Sequence, residues 1–374
     1  MAETTTTTTI TLSSPSDYMV GATIGEGAFG KVLYGKHKAT QREVAIKVVP
    51  KYSVMKYPHL LQSLMKERKI LTRANNSNSN NNSSYIVSLW ASFHDEQCLY
   101  LVMDCATRGN LTELIQHSRL VFIGIEQQTQ QQQQWREVVV PYYGLQLLQA
   151  LEYLHFELQV IHADIKPDNI LIRDDGRLQL ADFGSAIIVM DDEESNNHTN
   201  DDDDDYFIMT RGTVDYAAPE LIKGLCSSFI TYAVDLWAFG CVLYAMLLMT
   251  GESPFHAASD ALAIQKIMNH AVQITTNDNC SAIITNDDDA VPTEWMDLLL
   301  QLLHPDPLKR IIQTGNDHYA SIRSHKVFRN VDSNHPPPYL PPRPSWWMDS
   351  QTTTTTTTTP MRDGCQGWTV FLVD

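Results

Sequence analysis

The stretch that decides the fold lies at residues 162–169 and reads His162-Ala163-Asp164-Ile165-Lys166-Pro167-Asp168-Asn169. Thirteen residues after its last asparagine comes a second string, Asp182-Phe183-Gly184. Asp164 is a candidate base for a hydroxyl proton, and Lys166 can neutralise a phosphoryl group during its transfer. Asn169 and Asp182 offer the oxygen ligands that magnesium takes beside phosphates. Together the two strings predict a site for phosphoryl transfer from a nucleoside triphosphate.

A glycine-rich string near the amino terminus reads Gly25-Glu26-Gly27-Ala28-Phe29-Gly30-Lys31-Val32. A dinucleotide-binding fold uses the same glycine spacing, but it needs a helix directly afterwards and an acidic residue about twenty positions on. Here the pattern predicts a strand instead, and the residue seventeen positions after Gly30 is Lys47. A glycine loop between two strands brings backbone N–H groups close to the phosphates of ATP.

Lys47 ends a run of small and β-branched residues, Val44-Ala45-Ile46-Lys47, which predicts a strand. From there the lysine can reach the α- and β-phosphates, provided that an acidic partner holds it in place. Glu67, on a helix predicted from Leu60 to Ala74, is the candidate partner. The alternative is that Lys47 is an exposed strand lysine and Glu67 an ordinary acid on the helix surface.

Hydrophobic periodicity predicts an α+β fold. Three antiparallel strands are expected between about Tyr18 and Lys47, and two more at Ile86–Leu89 and Leu99–Met103, which makes a five-stranded sheet with one main helix. After Gly109 the pattern becomes helical, with segments at 110–117, 137–157, 233–250, 259–269 and 294–303. This predicts a larger, mainly helical second part.

Three low-complexity insertions fall between these elements, at residues 75–84, 126–134 and 191–205, and we expect all three to be loops. The third contains nine acidic residues in fifteen positions. A solvated spacer is its plain interpretation, and attraction of basic substrates is the alternative. The proline-rich segment 336–344 is expected to be a linker rather than a docking motif.

Composition and charge limit the partners and the cellular location that can be expected for this chain. The 374 residues carry a formal net charge of −17, which argues against nucleic acid or an anionic membrane as partner. Six cysteines without a CxxC pair favour a reducing, cytoplasmic location over a disulfide framework. The first residues lack the basic start and apolar stretch of a secretory signal. The longest apolar run, residues 236–249, is too short to span a bilayer and indicates a buried helix.

The ordered series of motifs resembles the eukaryotic protein kinase family over about residues 18–330. The resemblance implies a bilobal protein kinase fold, with a small β-rich lobe (18–103), a hinge (104–106) and a larger helical lobe (107–330), flanked by a Thr-rich tail (1–17) and a Pro/Thr-rich tail (331–374). ATP and Mg²⁺ would be the cofactors. The resemblance adds further nucleotide-binding residues to the glycine string and Lys47, namely Ile24, Val32, Ala45, Asp104, Ala106 and Leu171. Lys166 after Asp164 matches the serine/threonine branch.

Within this family the chain resembles the AGC group, and in particular its phosphoinositide-dependent branch. The likeness rests on residues 85–100 and on Leu151-Glu152-Tyr153-Leu154-His155. It implies that the substrates are other AGC-type kinases, phosphorylated on their activation loops. It also implies a small-lobe pocket that binds a phosphorylated hydrophobic tail, formed near Leu61, Leu64, Arg68 and Leu99. Plain core packing is the alternative interpretation of these leucines.

Departures from the family pattern bear on regulation. The arginine that usually precedes the catalytic aspartate is replaced by Ala163, and the usual phosphorylation position holds Met209, with Thr210 beside it. Both halves of a phosphate switch are missing together, which leads to the hypothesis that activity needs no activation-loop phosphate. We also expect no lipid-binding domain, because the residues after 330 are too few for one.

Two other functions compete with an active Ser/Thr kinase. A pseudokinase scaffold would bind partners without phosphoryl transfer. It is disfavoured because all five residues that the chemistry needs are present: Lys47, Glu67, Asp164, Asn169 and Asp182. A different AGC-type kinase with unrelated substrates remains open.

Overall fold

The computed structural model describes residues 14–27, 30–77, 85–123, 128–189, 214–224, 230–276, 291, 293–310, 319–332, 335–337, 340–344 and 347. Several predicted features lie outside these ranges: Ala28 and Phe29 of the glycine string, Met209, Thr210 and the acidic insertion 191–205.

Contacts divide the chain into two compact units. The first contains the described residues up to Arg68, those from 88 to 105, and Trp347. The second contains those from 69 to 87 and from 106 to 344. The long stretch of the second unit that begins at Ala106 directly follows Cys105, the last residue of the sheet-containing part of the first unit. The lobe and tail boundaries given above remain predictions.

The first unit is built on an antiparallel five-stranded sheet in the order β1-β2-β3-β5-β4. Its strands are β1 (Tyr18–Gly27), β2 (Gly30–His37), β3 (Glu43–Pro50), β4 (Leu89–His94) and β5 (Cys98–Asp104). Two helices follow β3, namely α1 (Lys51–Lys56) and α2 (His59–Ser77), and α2 belongs to this unit through Arg68. Alternate residues such as Val44, Ile46 and Val102 are buried on one face, as the period of a strand requires. The predicted sheet with one main helix is confirmed.

The fourth strand lies later in the chain than predicted. Residues 86–89 were expected to form it, whereas β4 begins at Leu89, and Ile86 pairs with Leu180 in an isolated parallel bridge outside the sheet. Ile86 and Val87 are nonetheless buried, at 1% and 2% exposure. A short apolar run indicates burial but does not distinguish a strand from other buried backbone, and this is why the prediction was wrong.

The second unit is mainly helical, and the predicted fold class is confirmed. Its helices are α3 (Leu111–Ile123), α4 (Gln128–Gln134), α5 (Val140–Glu152), α6 (Pro219–Ile222), α7 (Ala233–Leu247), α8 (Asp260–Thr276), α9 (Thr293–Leu302) and α10 (Ala320–Arg323). Four short strands form two ladders, in which β6 (Val160–Ile161) pairs with β9 (Ile187–Ile188) and β7 (Ile170–Ile172) with β8 (Leu178–Leu180). These ladders hold the segments that bear the predicted catalytic strings.

Helix α7 forms the centre of the second unit. All of its side chains from Ala233 to Leu247 are buried, as expected for a helix that is apolar on every side. Arg310 reaches its first turn and donates to the carbonyl of Ala233 at 2.9 Å. The same guanidinium binds Glu220 through two hydrogen bonds of 2.5 and 2.8 Å. Glu220 and Arg310 thus form a buried ion pair. Among the helices of the described ranges, none combines the length and the hydropathy needed to cross a bilayer.

The glutamine-rich insertion is not the loop that its composition predicted. Residues 128–134 form α4, and a π-helical turn from Trp135 to Val139 joins it to α5. Glutamine is a good helix former. Trp135 is fully buried, and its indole N–H donates to the carbonyl of Met246 at 2.8 Å. The buried Trp135 holds the end of the tract in place, and this explains why the glutamines form a helix that leads into α5.

The proline-rich segment belongs to the second unit and packs against other residues of it, so the expectation of a linker is wrong for its described residues. Arg343 binds Asp174 at 2.7 Å, and Arg108 donates to the carbonyl of Pro341 at 3.1 Å. A Cβ on Gly176, whose φ is +80°, would lie 2.6 Å from the side chain of Leu340. The turn at Gly176 therefore needs a glycine both for its left-handed backbone and for the closeness of this segment.

Candidate active site

The glycine string joins β1 to β2. Gly27 ends β1 and Gly30 begins β2, and the two residues are paired in register. A Cβ on Gly30 would overlap the carbonyl oxygen of Val48 on β3, so the strands can approach this closely only at a glycine. Glu26 and Gly27 are exposed, whereas Ile24 and Gly25 are partly buried. That this string binds phosphates remains a prediction.

Lys47 on β3 and Glu67 on α2 form an ion pair, with 2.7 Å between Lys47 Nζ and Glu67 Oε2. The Glu67 side chain is only 2% exposed, and that of Lys47 is 23% exposed. A carboxylate this deeply buried is costly unless a cation is bound to it. The geometry excludes the alternative in which Lys47 is a solvent-exposed strand lysine and Glu67 an ordinary surface acid.

The predicted adenine-binding residues of the first unit lie beside this pair. Val32 is directly opposite Lys47 across β2 and β3, and Ala45 is directly opposite Met103 across β3 and β5. Opposed residues on neighbouring strands share a face of the sheet. Val32, Ala45 and Lys47 therefore lie on one face, while Asp104 forms the end of β5.

In the second unit, two predicted residues bind the carboxylate of a third, Asp164. Asp164 Oδ2 accepts a hydrogen bond from Lys166 Nζ at 2.8 Å and another from Asn169 Nδ2 at 2.9 Å. Asn169 Nδ2 also donates to the backbone carbonyl of Asp164, at 2.8 Å. The short helical turn Pro167–Asn169 brings the asparagine back over the aspartate. The structure thus assembles the charged core of the first predicted string.

Burial raises the pKa of Asp164 above its ordinary value. The neighbouring Lys166 acts in the opposite direction, through its charge and its hydrogen bond, and the negative charge of Asp182 adds to the rise. A carboxylate with a raised pKa is a stronger base than an ordinary aspartate. This is the property that a proton acceptor for a hydroxyl group requires.

Asp182 stands next to this cluster in a left-handed backbone conformation, with φ of 61°. The carbonyl of Asn169 accepts the N–H of Ala181 at 3.0 Å, which ties the two predicted strings together. Phe183 is fully buried, with its ring centroid 4.8 Å from that of His162. A non-glycine residue in this conformation is strained by about 1 kcal/mol or more, and such strain is often found at functional sites.

Leu171, the predicted adenine contact of the second unit, lies in β7 opposite Gln179 and is partly buried, while Ala106 is buried. The predicted metal ligands are Asn169 and Asp182. Within the described ranges, no group of three or more His, Cys, Asp or Glu side chains could hold a metal ion. A magnesium site made of one amide and one carboxylate would not form such a group, because this ion takes its other ligands from phosphates and water.

Sequence reasoning missed a buried network that holds the catalytic string. Asp235, at the start of α7, accepts the backbone N–H of Ala163 at 2.9 Å and that of His162 at 2.7 Å. Its second oxygen also binds the ring of His155 at 2.8 Å, and that ring binds the Tyr319 hydroxyl at 2.7 Å. Burial acts to raise the pKa of Asp235, but the hydrogen bonds and charges of the histidines hold it below its ordinary value. The sequence signal that could have revealed this network is the position of Asp235 inside an apolar run, where a charged residue must be buried and needs partners.

The predicted docking pocket is only partly accessible in the first unit. Leu64 and Leu99 are 7% and 6% exposed and belong to a hydrophobic cluster with Leu60, Leu101 and Val49. Leu61, in contrast, is 39% exposed. Arg68 is partly buried, and this burial lowers its pKa. Core packing therefore describes Leu64 and Leu99, which could serve only as the floor of a pocket.

Comparison with known proteins agrees with this geometry. Residues 18–326 match the profile described as protein kinase domain. The chain is 29% identical over 319 residues to 3-phosphoinositide-dependent protein kinase 1 of Homo sapiens, which covers 85% of this chain and 48% of the relative. It is 29% identical over 317 residues to serine/threonine-protein kinase PKH2 of Candida albicans, covering 85% of this chain and 28% of that protein.

A third relative, PKH2 of Saccharomyces cerevisiae, is 31% identical over 257 residues, which is 67% of this chain and 21% of the relative. The chain thus spans about half or less of the length of these curated relatives. They confirm the predicted likeness to the phosphoinositide-dependent kinases of the AGC group. With the kinase profile matched over most of its length, this chain belongs to the protein kinase domain family.

Proposed function

We propose that this chain is a serine/threonine protein kinase that transfers the γ-phosphoryl group of ATP to hydroxyl groups of other proteins. The observation that supports it most directly is the buried Asp164 carboxylate, held by both Lys166 and Asn169. A carboxylate base whose oxygen is bound by a cation and by an amide is the arrangement that phosphoryl transfer to a hydroxyl group needs.

Each of these side chains has a defined task in the proposal. Asp164 orients the attacking hydroxyl group and accepts its proton, helped by the raised pKa. Lys166 neutralises negative charge on the transferring group. In the first unit, Lys47 binds the α- and β-phosphates, and Glu67 keeps its ammonium group in position.

The residues present are suited to magnesium. Asn169 Nδ2 donates both to the backbone carbonyl and to the carboxylate of Asp164, which leaves the amide oxygen as the ligand end. Asp182 offers an exposed carboxylate. We propose that these two oxygen donors hold the ion, which when bound would neutralise charge on the triphosphate.

We further propose that the substrates are activation loops of other AGC-type kinases, and that the chain works in the cytoplasm. The first part is supported by the likeness to phosphoinositide-dependent kinases over 85% of the chain. The second is supported by the free thiols of Cys98, Cys105 and Cys241 in the described part. A docking pocket would be lined by Leu61 and Arg68, with Leu64 and Leu99 beneath them.

The test is transfer of labelled γ-phosphate by the purified chain, with and without magnesium. Peptides that copy an AGC activation loop, bearing threonine, tyrosine or alanine at the acceptor position, separate the possible activities. We expect transfer to the threonine peptide alone, and a loss of roughly 10²–10⁴ in kcat for Asp164→Asn. Binding of ATP without any transfer would identify a pseudokinase scaffold. Transfer to unrelated Ser/Thr peptides but not to activation-loop peptides would contradict the substrate proposal.

A further inference from the structure

The carboxyl end of β5 is fixed at Asp104 through both its backbone and its side chain. Its N–H donates to the carbonyl of Ser88 at 3.0 Å, and its Oδ2 accepts the N–H of Ser88 at 3.1 Å. Its other oxygen, Oδ1, accepts the indole N–H of Trp90 at 2.7 Å. All of these groups belong to the first unit. Residue 104 is therefore held on three atoms by residues 88 and 90.

Core packing does not account for the position of the Trp90 side chain, because it is 48% exposed. The register between β4 and β5 shifts between Leu89 and Ala91, so Trp90 lies at a bulge. A bulge redirects a side chain out of the regular alternation of the strand. The guanidinium of Arg42 lies 3.6 Å from the centre of the Trp90 ring and covers its face. The indole is thus aimed at Asp104 and held in that orientation.

We propose that Trp90 is a positioning residue for adenine recognition. The inference rests on the proposed function together with the family resemblance, which implies that Asp104 contacts the nucleotide. In this proposal backbone groups beside Asp104 bind the adenine, and a hydrogen bond is strong only over a few tenths of an ångström. By binding the Asp104 carboxylate, Trp90 fixes the adjoining peptide groups before the base arrives, which reduces the ordering that binding would otherwise require. Trp90 should therefore affect the affinity for the adenine base and not the affinity for the phosphates.

The test variant is Trp90→Phe, which keeps an aromatic ring beneath Arg42 but removes the N–H donor. Tyr100→Phe is a matched control, since Tyr100 lies on β5, the strand that ends at Asp104, and its hydroxyl donates to Asp95 at the same distance of 2.7 Å. Affinities of the full chain for adenosine and for inorganic tripolyphosphate are measured by calorimetry, together with KM for ATP and kcat. Melting temperatures without ligand report whether each variant is folded.

For Trp90→Phe we expect adenosine affinity to fall about threefold to tenfold and KM for ATP to rise by the same factor. Tripolyphosphate affinity and kcat should change less than about twofold, and Tyr100→Phe should leave adenosine affinity unchanged within that factor. Unchanged adenosine affinity, or an equal loss for adenosine and tripolyphosphate, would overturn the positioning role while leaving the kinase proposal standing. A wild-type chain that neither binds adenosine nor transfers phosphate would overturn both.

Discussion

The proposed chemistry of this molecule depends on the burial of single side chains. Asp164 is 8% exposed, and taking its carboxylate out of water makes it more basic than a surface aspartate. Lys166, at 2.8 Å, limits that rise through its charge and its hydrogen bond. The balance between burial and the lysine charge therefore decides the pH at which the base becomes protonated.

This balance predicts a pH dependence. The pKa of Asp164 is raised, so activity should be present above it and lost as the pH falls through it. Because Lys166 lowers that pKa, Lys166→Ala should move the acid limb of kcat/KM to higher pH, in addition to lowering kcat. Profiles of kcat/KM against pH for the wild type and for Lys166→Ala measure the shift. Lys309→Ala, an exposed lysine elsewhere in the second unit, serves as the control. An acid limb that stays in place or moves to lower pH in Lys166→Ala would contradict this account.

The buried Glu220–Arg310 pair leads to a prediction about stability. Both side chains are 3% exposed or less, so removing one charge leaves the other buried and uncompensated. We expect Glu220→Gln to lower the free energy of unfolding by about 3–5 kcal/mol in urea denaturation. The double variant Glu220→Leu with Arg310→Met should recover more than half of this loss, because it removes both charges. If the single variant loses less than about 1 kcal/mol, the pair does not stabilise the fold in this way.

At the scale of elements, the sequence predicted most of the helices and four of the five strands of the sheet, because their hydrophobic patterns are long or bounded by clear signals. The prediction failed where the local composition of a segment indicates one structure and its contacts with distant residues impose another. The tract at 126–134 has the composition of a spacer, but the buried Trp135 that follows makes it part of a helix. The proline-rich segment contacts Asp174 and Gly176 through long-range packing, which no local pattern records.

The helical glutamine tract can be tested directly. Gln133 is exposed, and its side-chain amide donates to Glu137 at 2.8 Å. Gln133→Pro should destabilise the chain by about 3 kcal/mol, because proline removes a helical hydrogen bond and clashes with the preceding turn. Gln133→Ala should change stability by less than about 0.5 kcal/mol. Equal urea midpoints for the two variants would show that the tract does not behave as a helix.

The candidate site shows the same division between local and long-range information. The residues of the two catalytic strings were predicted because each string is short and its spacing is set by local turns. The pairing of Lys47 with Glu67 could be proposed because a phosphate-binding lysine needs an acidic partner and Glu67 lies on the helix predicted next, although the two are twenty residues apart. The roles of Trp90, His155 and Tyr319 could not be predicted, since each depends on contacts that only the folded chain brings about.

For the molecule as a whole, the residue at position 163 bears on regulation. An alanine side chain cannot bind a phosphate, and its backbone is instead held by Asp235 at 2.9 Å. The catalytic string is thus fixed by a permanent carboxylate in the second unit. This arrangement supports the hypothesis that the chain is active without phosphorylation of its activation segment.

The hypothesis predicts that Thr210→Ala retains turnover within about twofold of the wild type, because no arginine precedes Asp164 to receive a phosphate there. Initial rates on a threonine peptide, with protein that has been treated with phosphatase, provide the measurement. Asp164→Asn serves as the inactive reference. A loss on the order of 10² or more in Thr210→Ala would show that the threonine is a required phosphorylation site.

The hydrogen bonds of Asp235 have a consequence for how this chain can change by mutation. One carboxylate accepts from two peptide N–H groups and a histidine ring, so both of its oxygens must be acceptors. Asparagine, its nearest isostere, would turn an NH₂ group towards a donor that already points at it. We therefore expect replacements of Asp235 to impair folding and turnover together. A variant that loses catalysis while keeping the fold is expected instead from changes at residues such as Lys47, Asp164 or Asp182.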